Sequence, residues 1–237
     1  MNKAAQIESR YILVIAAGLL IVLLSACAST KRGDISLLPM YGGIQKTEKQ
    51  KQADEIYLKT MDANFSSRRA ASQSAAKAGW GFLRKRDLNT AMRRFNQAWL
   101  LDPIYYEAYA GFARILDIQG NFQGASKMAE KAMNLGPADY RLMCDAAEAH
   151  GKYALSIENN SEEKAKYLKK SASVCEHAAI IHPDGSCIYF NWAITLFYMG
   201  EYLEAWQKVK KLEDLGYGHR KYFIDDLSGK MPRPKSL

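Results

Sequence analysis

Residues 91–103 read AMRRFNQAWLLDP and residues 125–137 read ASKMAEKAMNLGP, and this similarity decides the fold. Small residues and a proline recur 34 residues apart in the two stretches. Helix pairs with this period form stacked arrays, because each pair buries one face on its neighbour and none is stable alone. The sequence therefore predicts an all-α solenoid. The corresponding positions are Ala91 and Ala125, Phe95 and Ala129, Ala98 and Ala132, Pro103 and Pro137, and, upstream, Gly79 and Ala113, Phe82 and Leu116.

The pattern resembles the tetratricopeptide repeat (TPR). That family has small residues at the eighth and twentieth positions of its repeat, aromatic residues at the eleventh and twenty-fourth, and a proline at the thirty-second. Residues 91–103 fit its second helix closely. The resemblance implies a right-handed α-solenoid of about four helix pairs. It also implies that the protein is not an enzyme but a scaffold whose concave groove binds a peptide or a protein.

The third repeat departs from the pattern. The repeat register counted forward from Tyr140 and the register counted back from Pro183 disagree by 12 residues, so we expect an insertion around Ser156–Glu162. The insertion is either a longer first helix with a polar loop or a functional loop. Asp87 and Asn121 are expected to begin the second helices of the first two repeats. The predicted array covers residues 72–219, in repeats at about 72–105, 106–139, 140–185 and 186–219.

Further helices are expected to cover both ends of the array, because a terminal repeat exposes an apolar side. Thr47 and Gln50 have the spacing of a capping box, which predicts an N-terminal helix over about 48–63 within the segment 47–71. Residues 220–237 form a predicted C-terminal capping segment. The apolar face of the N-terminal helix is expected to consist of Ala53, Ile56, Tyr57 and Met61.

The first 26 residues have the pattern of a secretory signal. Lys3 and Arg10 precede an apolar run that ends in Leu-Ser-Ala-Cys at residues 24–27, and this run is shorter than the roughly 20 residues that span a membrane. Leu-Ser-Ala-Cys resembles the lipobox of bacterial lipoproteins, which implies cleavage before Cys27 and acylation of that residue with fatty acid such as palmitate. Ala28, where some lipoproteins carry an aspartate, implies the outer membrane, facing the periplasm. The alternative is a plain signal anchor with an incidental cysteine.

A flexible tether is predicted for residues 27–46, because glycine and proline interrupt any regular element there. The apolar stretch ISLLPMY at residues 35–41 is the exception. It docks either on the repeats or on something else, and the sequence leaves both possibilities open.

The charged residues do not form a catalytic or nucleic-acid pattern. Lys and Arg number 33 against 25 Asp and Glu, but the basic residues are spread over predicted solvent-facing positions, and no nucleic-acid motif accompanies them. The four histidines have no metal-site spacing, and there is no phosphate loop or nucleophile elbow. We therefore expect no metal, no cofactor and no nucleic acid.

Three cysteines belong to the predicted array. In the repeat register Cys144 and Cys187 lie near the starts of neighbouring first helices, on the concave side, which makes them the best candidates for a disulfide bond. The alternative is that these residues and Cys175 are buried free thiols, which are common in protein cores.

In TPR proteins the groove is lined by fixed positions of each first helix. Transferred to this sequence, these positions predict a charged end and an aromatic end. Leu83, Glu107, Asp117 and Glu148 also occupy such positions. The predicted partner-binding residues are Trp80, Arg84, Arg114, Arg141, Phe190, Ile194, Phe197 and Tyr198.

The aromatic end has two interpretations. Either the C-terminal tail covers it with Phe223 and Leu227, or it binds apolar side chains of a partner while Arg84 and Arg114 bind the acidic groups of that partner. The sequence therefore favours a lipid-anchored interaction scaffold. One alternative is a pilotin-like factor that assists pilus or secretin assembly in the outer membrane. A less favoured alternative is an enzyme or a small-ligand carrier.

Overall fold

The computed structural model describes residues 34–218 and 221–237, so the predicted signal peptide and Cys27 lie outside the described residues. The chain divides by its contacts into residues 1–35 and a second unit, Ser36–Leu237. The described part of the chain contains helices and no strand, and none of these helices has both the length and the apolar character needed to cross a bilayer. The α-helices are α1 (Glu48–Asn64), α2 (Arg68–Arg84), α3 (Leu88–Leu101), α4 (Tyr106–Ile118), α5 (Phe122–Leu135), α6 (Tyr140–Ser156), α7 (Ser161–Ile181), α8 (Ser186–Met199), α9 (Tyr202–Asp214) and α10 (Lys221–Lys230).

Four antiparallel helix pairs follow one another: α2 with α3, α4 with α5, α6 with α7, and α8 with α9. Each first helix also packs against the first helix of the next pair, which is the stacking of a solenoid. The alanines that recur with the period are fully buried at these contacts, including Ala91, Ala98, Ala125 and Ala132. The prediction of an all-α solenoid of helix pairs is confirmed.

One aromatic ring fixes the contact between the first two repeats. Phe95 of α3 is fully buried, with Trp80 and Phe112 edge-on to its ring at centroid distances of 5.2 and 6.3 Å. Gly79 of α2 and Gly111 of α4 lie against the same ring, and a Cβ atom at Gly79 would lie 2.9 Å from it. A side chain at either glycine would therefore force the helices apart.

Local capping explains where most helices begin. The Asp87 and Asn121 side chains accept hydrogen bonds from the N–H groups of Thr90 and Gly124, at 3.0 and 2.9 Å, so both predicted helix starts are confirmed. Thr47 and Gln50 form the predicted capping box at the start of α1.

The apolar face of α1 differs from the predicted one. Ile56 is 67% exposed and Ala53 is exposed as well, whereas Tyr57, Leu58 and Met61 pack against the core of the first repeat. The prediction for Ala53 and Ile56 was wrong because only one narrow side of this helix reaches that core.

Helix extension accounts for the additional residues of the third repeat. Helices α6 and α7 have 17 and 21 residues, and only residues 157–160 separate them. The extension is packed, since the rings of Tyr153 and Tyr167 meet edge-on at 4.5 Å and the Tyr153 hydroxyl donates to Glu163 at 2.8 Å. The described part of the chain therefore contains no long functional loop, but the second helix α7, with 21 residues against 14 in α3 and α5, takes more of the added length than the predicted longer first helix.

The end of the predicted tether contacts the second helix of the first repeat. Asn96 of α3 is fully buried, and its Nδ2 donates to the carbonyl oxygens of Ser36 and Leu38 at 2.9 and 2.8 Å. The Tyr41 ring lies 6.3 Å from that of Trp99. Residues 36–41 are therefore docked on the repeats, which is one of the two possibilities that the sequence left open.

Helix α10 and the residues after it cover the last repeat. Phe223 and Leu227 are buried against α8 and α9, and the Trp206 indole donates to the carbonyl of Met231 at 2.9 Å. The tail therefore covers one side of the aromatic end, as one of the two interpretations expected.

Candidate functional site

The first helices of the repeats, together with three alanines of α5 and Leu168 of α7, line two adjoining pockets on one side of the solenoid. The charged pocket has a volume of about 340 Å³ and the aromatic pocket one of about 530 Å³. Helix α6 separates them and contributes four side chains to both, Arg141, Asp145, Glu148 and Lys152. We call the two pockets together the groove.

Six of the eight predicted partner-binding residues line this groove. Trp80 and Arg114 line the charged pocket, Arg141 lines both pockets, and Phe190, Ile194 and Tyr198 line the aromatic pocket. Asp117 and Glu148, which the same register selected, also line the groove.

Two of the predicted residues lie elsewhere, and so does Leu83. Arg84 is the exposed last residue of α2 and lines neither pocket. Phe197 packs against Phe223 at a centroid distance of 5.8 Å, because its side of α8 faces the tail. Leu83 packs against the core of the first repeat.

An ion-pair network crosses the charged pocket from repeat to repeat. Glu107 accepts a hydrogen bond from the Trp80 indole at 2.7 Å and another from Arg141 at 2.6 Å. Asp117 accepts from Arg114 at 3.1 Å and from Lys152 at 3.0 Å. Each of these three cations thus already has a carboxylate partner inside the protein.

Asp145 also lines the charged pocket, but it does not take part in this ion-pair network. It forms no hydrogen bond or ion pair with the residues that the structure describes, although Arg141 and Glu148 lie one helical turn away on the same face of α6. Its side chain is accessible from the groove, but the surrounding helices displace part of its water. This desolvation is the main reason why the pKa of Asp145 is raised; the charge of Arg141 offsets part of the effect, and that of Glu148 adds to it.

Sequence reasoning missed Asp145 and Lys152. In the third repeat, the resemblance to TPR proteins had selected only Arg141 and Glu148 for the groove. A signal was present, because Arg141, Asp145, Glu148 and Lys152 follow one another at intervals of four, three and four, which places them on one helical face.

The aromatic pocket combines a rigid wall with exposed rings. A disulfide bond between Cys144 and Cys187, with Cα atoms 6.1 Å apart, joins α6 to α8 in this wall. Tyr198 and Tyr222 line the pocket and are 48% and 57% exposed. Cys175 is a buried free thiol, and burial raises its pKa to about 12. The pocket therefore offers accessible aromatic surface on a covalently fixed frame.

A serine–histidine contact outside the groove has a structural role. Ser126 Oγ lies 2.7 Å from His150 Nδ1, and both residues are buried between α5, α6 and α7. Burial lowers the pKa of His150 to about 4, so its imidazole is neutral at pH 7. Because no substrate can reach this pair, it satisfies a buried polar contact rather than forming a catalytic dyad. Among the described residues no group of three or more metal-binding side chains is placed to hold a metal ion.

Comparison with known proteins shows the fold. No model of a protein family matches this chain, and no curated protein matches it. The crystal structure of TTC0263, a thermophilic TPR protein in Thermus thermophilus, superposes with a TM-score of 0.54 and 18% sequence identity, over 67% of this chain and 80% of that chain. A structure from the functional characterization of Pseudomonas aeruginosa pilF covers 68% of this chain and 85% of its own, at 14% identity and a TM-score of 0.37. The first of these likenesses shows that the chain has the helical solenoid fold of TPR proteins.

Proposed function

We propose that this protein is a lipid-anchored scaffold in the periplasm, which binds a protein or a peptide in its groove. The observation that carries the proposal is the groove itself, in which two adjoining pockets present one charged surface and one aromatic surface along four first helices. A groove of this kind suits an extended segment that contacts several repeats at once.

The residue types in the groove support a binding role. Trp, Tyr and Arg are the residues that most often dominate the energy of protein interfaces, and Trp80, Arg114, Arg141 and Tyr198 all line the groove. The Trp80 ring is held in position by Phe95 and by its hydrogen bond to Glu107, so little conformational entropy would be lost there on binding. Tyr198 is 48% exposed, so its ring is open to apolar contact with a partner.

Two features support the location. Leu-Ser-Ala-Cys at residues 24–27 resembles a lipobox, which favours an acylated Cys27, and Ala28 favours the outer membrane. The disulfide bond between Cys144 and Cys187 supports an oxidising compartment such as the periplasm, because such bonds are rare in the cytosol.

Site-specific photo-crosslinking in the source organism tests the proposal. A photoreactive residue is placed at Tyr198 or Arg114 in the groove, and at His177, an exposed residue of α7, as the control. We expect the same partner to be captured from both groove positions and not from His177. Equal capture at all three positions, or no capture in the groove, would contradict the proposal.

The sequence also suggested a pilotin-like factor, and this alternative stays a prediction. A secretin or pilus protein captured at Tyr198 would support that more specific role. The small-ligand alternative would be supported by a metabolite that stays bound in native mass spectrometry.

A further inference from the structure

We infer that the groove binds a partner segment in which a lysine or an arginine, bound by Asp145, stands beside apolar side chains that enter the aromatic pocket. This inference rests on the proposed binding role of the groove and specifies the chemistry of the partner.

The ion pairs in the groove argue against a preference for acidic partner groups. The sequence suggested that groove arginines bind acidic groups of a partner, but Arg141 and Arg114 already bind Glu107 and Asp117. Lys152 is likewise held between Asp117 and Glu148, at 3.0 and 2.8 Å. The charge of each of these cations is thus already partly neutralised by a carboxylate of the protein, so an acidic ligand would gain less from it than from an unpaired cation.

Asp145 has no such internal partner among the described residues, so it is available to a ligand. In the described part of the chain, three carboxylates (Asp117, Asp145 and Glu148) and three cations (Arg114, Arg141 and Lys152) line the groove. Each of these cations already forms an ion pair, and Glu107 outside the lining is the partner of Arg141, so Asp145 is left without a counter-ion among the residues that the structure describes, although the whole chain carries a formal net charge of +8. A basic partner side chain would be repelled by most of this protein's surface but attracted at this position.

The surroundings of Asp145 strengthen the preference for a basic partner side chain. The groove removes part of the solvent from this accessible carboxylate, and the nearby charges of Arg141 and Arg114 offset only part of that effect. An ammonium or guanidinium group would restore the lost compensation through a charge-assisted hydrogen bond, which is stronger than a neutral one. The desolvation and the missing partner therefore point to the same type of ligand.

The position of Asp145 explains why apolar side chains should accompany the cation. Asp145 borders both pockets, and beyond it the aromatic pocket is lined by Leu155, Phe190, Ile194, Tyr198 and Tyr222. The volume of about 530 Å³ lies in the range of pockets that bury small ligands, about 300–1,000 Å³. A segment with its cation at Asp145 can therefore place a neighbouring apolar side chain against these rings.

A phage-displayed library of random dodecapeptides tests this inference on the full chain purified in detergent. Selections are run on the wild type, on Asp145→Asn, on Asp145→Lys and on Glu55→Gln, which neutralises an exposed carboxylate of α1. We expect wild type and Glu55→Gln to select peptides with Lys or Arg beside Leu, Phe or Tyr. Asp145→Asn should keep the apolar preference and lose the basic one, and Asp145→Lys should select Asp or Glu instead.

Affinity measurements on one selected synthetic peptide complete the test. We expect Asp145→Asn to weaken binding at least about tenfold, as for the loss of a charge-assisted hydrogen bond, while the circular dichroism melting curve stays unchanged. Peptides that require Tyr198 but show no basic preference would overturn the inference and leave the binding role intact. If Tyr198→Ala does not affect any selected peptide, the groove is not the binding site and the proposed function fails as well.

Discussion

A single methyl group at Gly111 should separate the first two repeats. The glycine lies in the middle of α4, directly against the fully buried ring of Phe95. A Cβ atom there would lie closer to the ring than the 2.9 Å found for Gly79 on the other helix. The ring cannot move away, because Gly79, Trp80 and Phe112 enclose it.

The expected change in the free energy of unfolding for Gly111→Ala follows from two opposing effects. Replacing a glycine inside a helix by alanine stabilises the helix by about 1 kcal/mol. Overpacking a rigid core costs about 1–3 kcal/mol, and the enclosed ring places this site at the upper end. The net destabilisation should therefore be about 2 kcal/mol, which corresponds to a decrease of about 4–8 °C in the melting temperature of a domain of this size.

Gly81→Ala provides the matched control. Gly81 is also helical, but the nearest side-chain atom to a Cβ there is Arg84 Nη2 at 3.9 Å, an ordinary contact. This variant should gain the helix propensity alone, and its melting temperature should rise by about 2–4 °C. Thermal unfolding followed by circular dichroism compares the two. If Gly111→Ala also raised the melting temperature, the packing of Phe95 between the first helices would be wrong.

Three further changes test other parts of the account. Replacing both Cys144 and Cys187 by alanine opens a loop of 43 residues and should lower the free energy of unfolding by about 4 kcal/mol; equal urea midpoints for the variant and the wild type would contradict this. His150 has a pKa of about 4 in the folded protein and about 6.5 when unfolded, so the unfolded state binds the additional proton between these values. The free energy of unfolding should therefore fall by up to about 3 kcal/mol as the pH falls from 6.5 to 4, and His150→Gln should remove most of that dependence in urea titrations at pH 7 and pH 4.5. Cys27→Ser should leave an unprocessed precursor that takes up no labelled fatty acid, and a mature Cys27→Ser protein that floats with outer membranes would rule out the lipoprotein proposal.

The fold could be predicted from the sequence because its signals are local and repeated. Ala91 and Ala98, with their counterparts one period later, specify the close helix contacts, and Asp87 and Asn121 mark helix starts through hydrogen bonds to residues three positions on. The docking of residues 36–41 had no such signal. It depends on Asn96, which lies 58 residues from its partner Leu38 in the chain.

The sequence could show which side of the helices forms the groove, but not how the charges in the groove are paired. The repeat register selects the side of each first helix that faces the groove, and six of eight residues named from it line the pockets. The register cannot show which charges pair between repeats. Arg141 binds Glu107 across 34 residues and Lys152 binds Asp117 across 35, and only these pairings reveal that Asp145 has no partner among the described residues.

Hydrogen–deuterium exchange on the full chain, with and without a captured partner, tests the binding groove most directly. The account predicts that the partner slows exchange in peptides from the first helices α4, α6 and α8, with the largest effect around Asp145 and Tyr198. Exchange in the second helices α3 and α9, which contribute no residue to either pocket, should not change. Protection confined to α3 and α9, or to residues 36–46, would place the partner outside the groove and contradict the account.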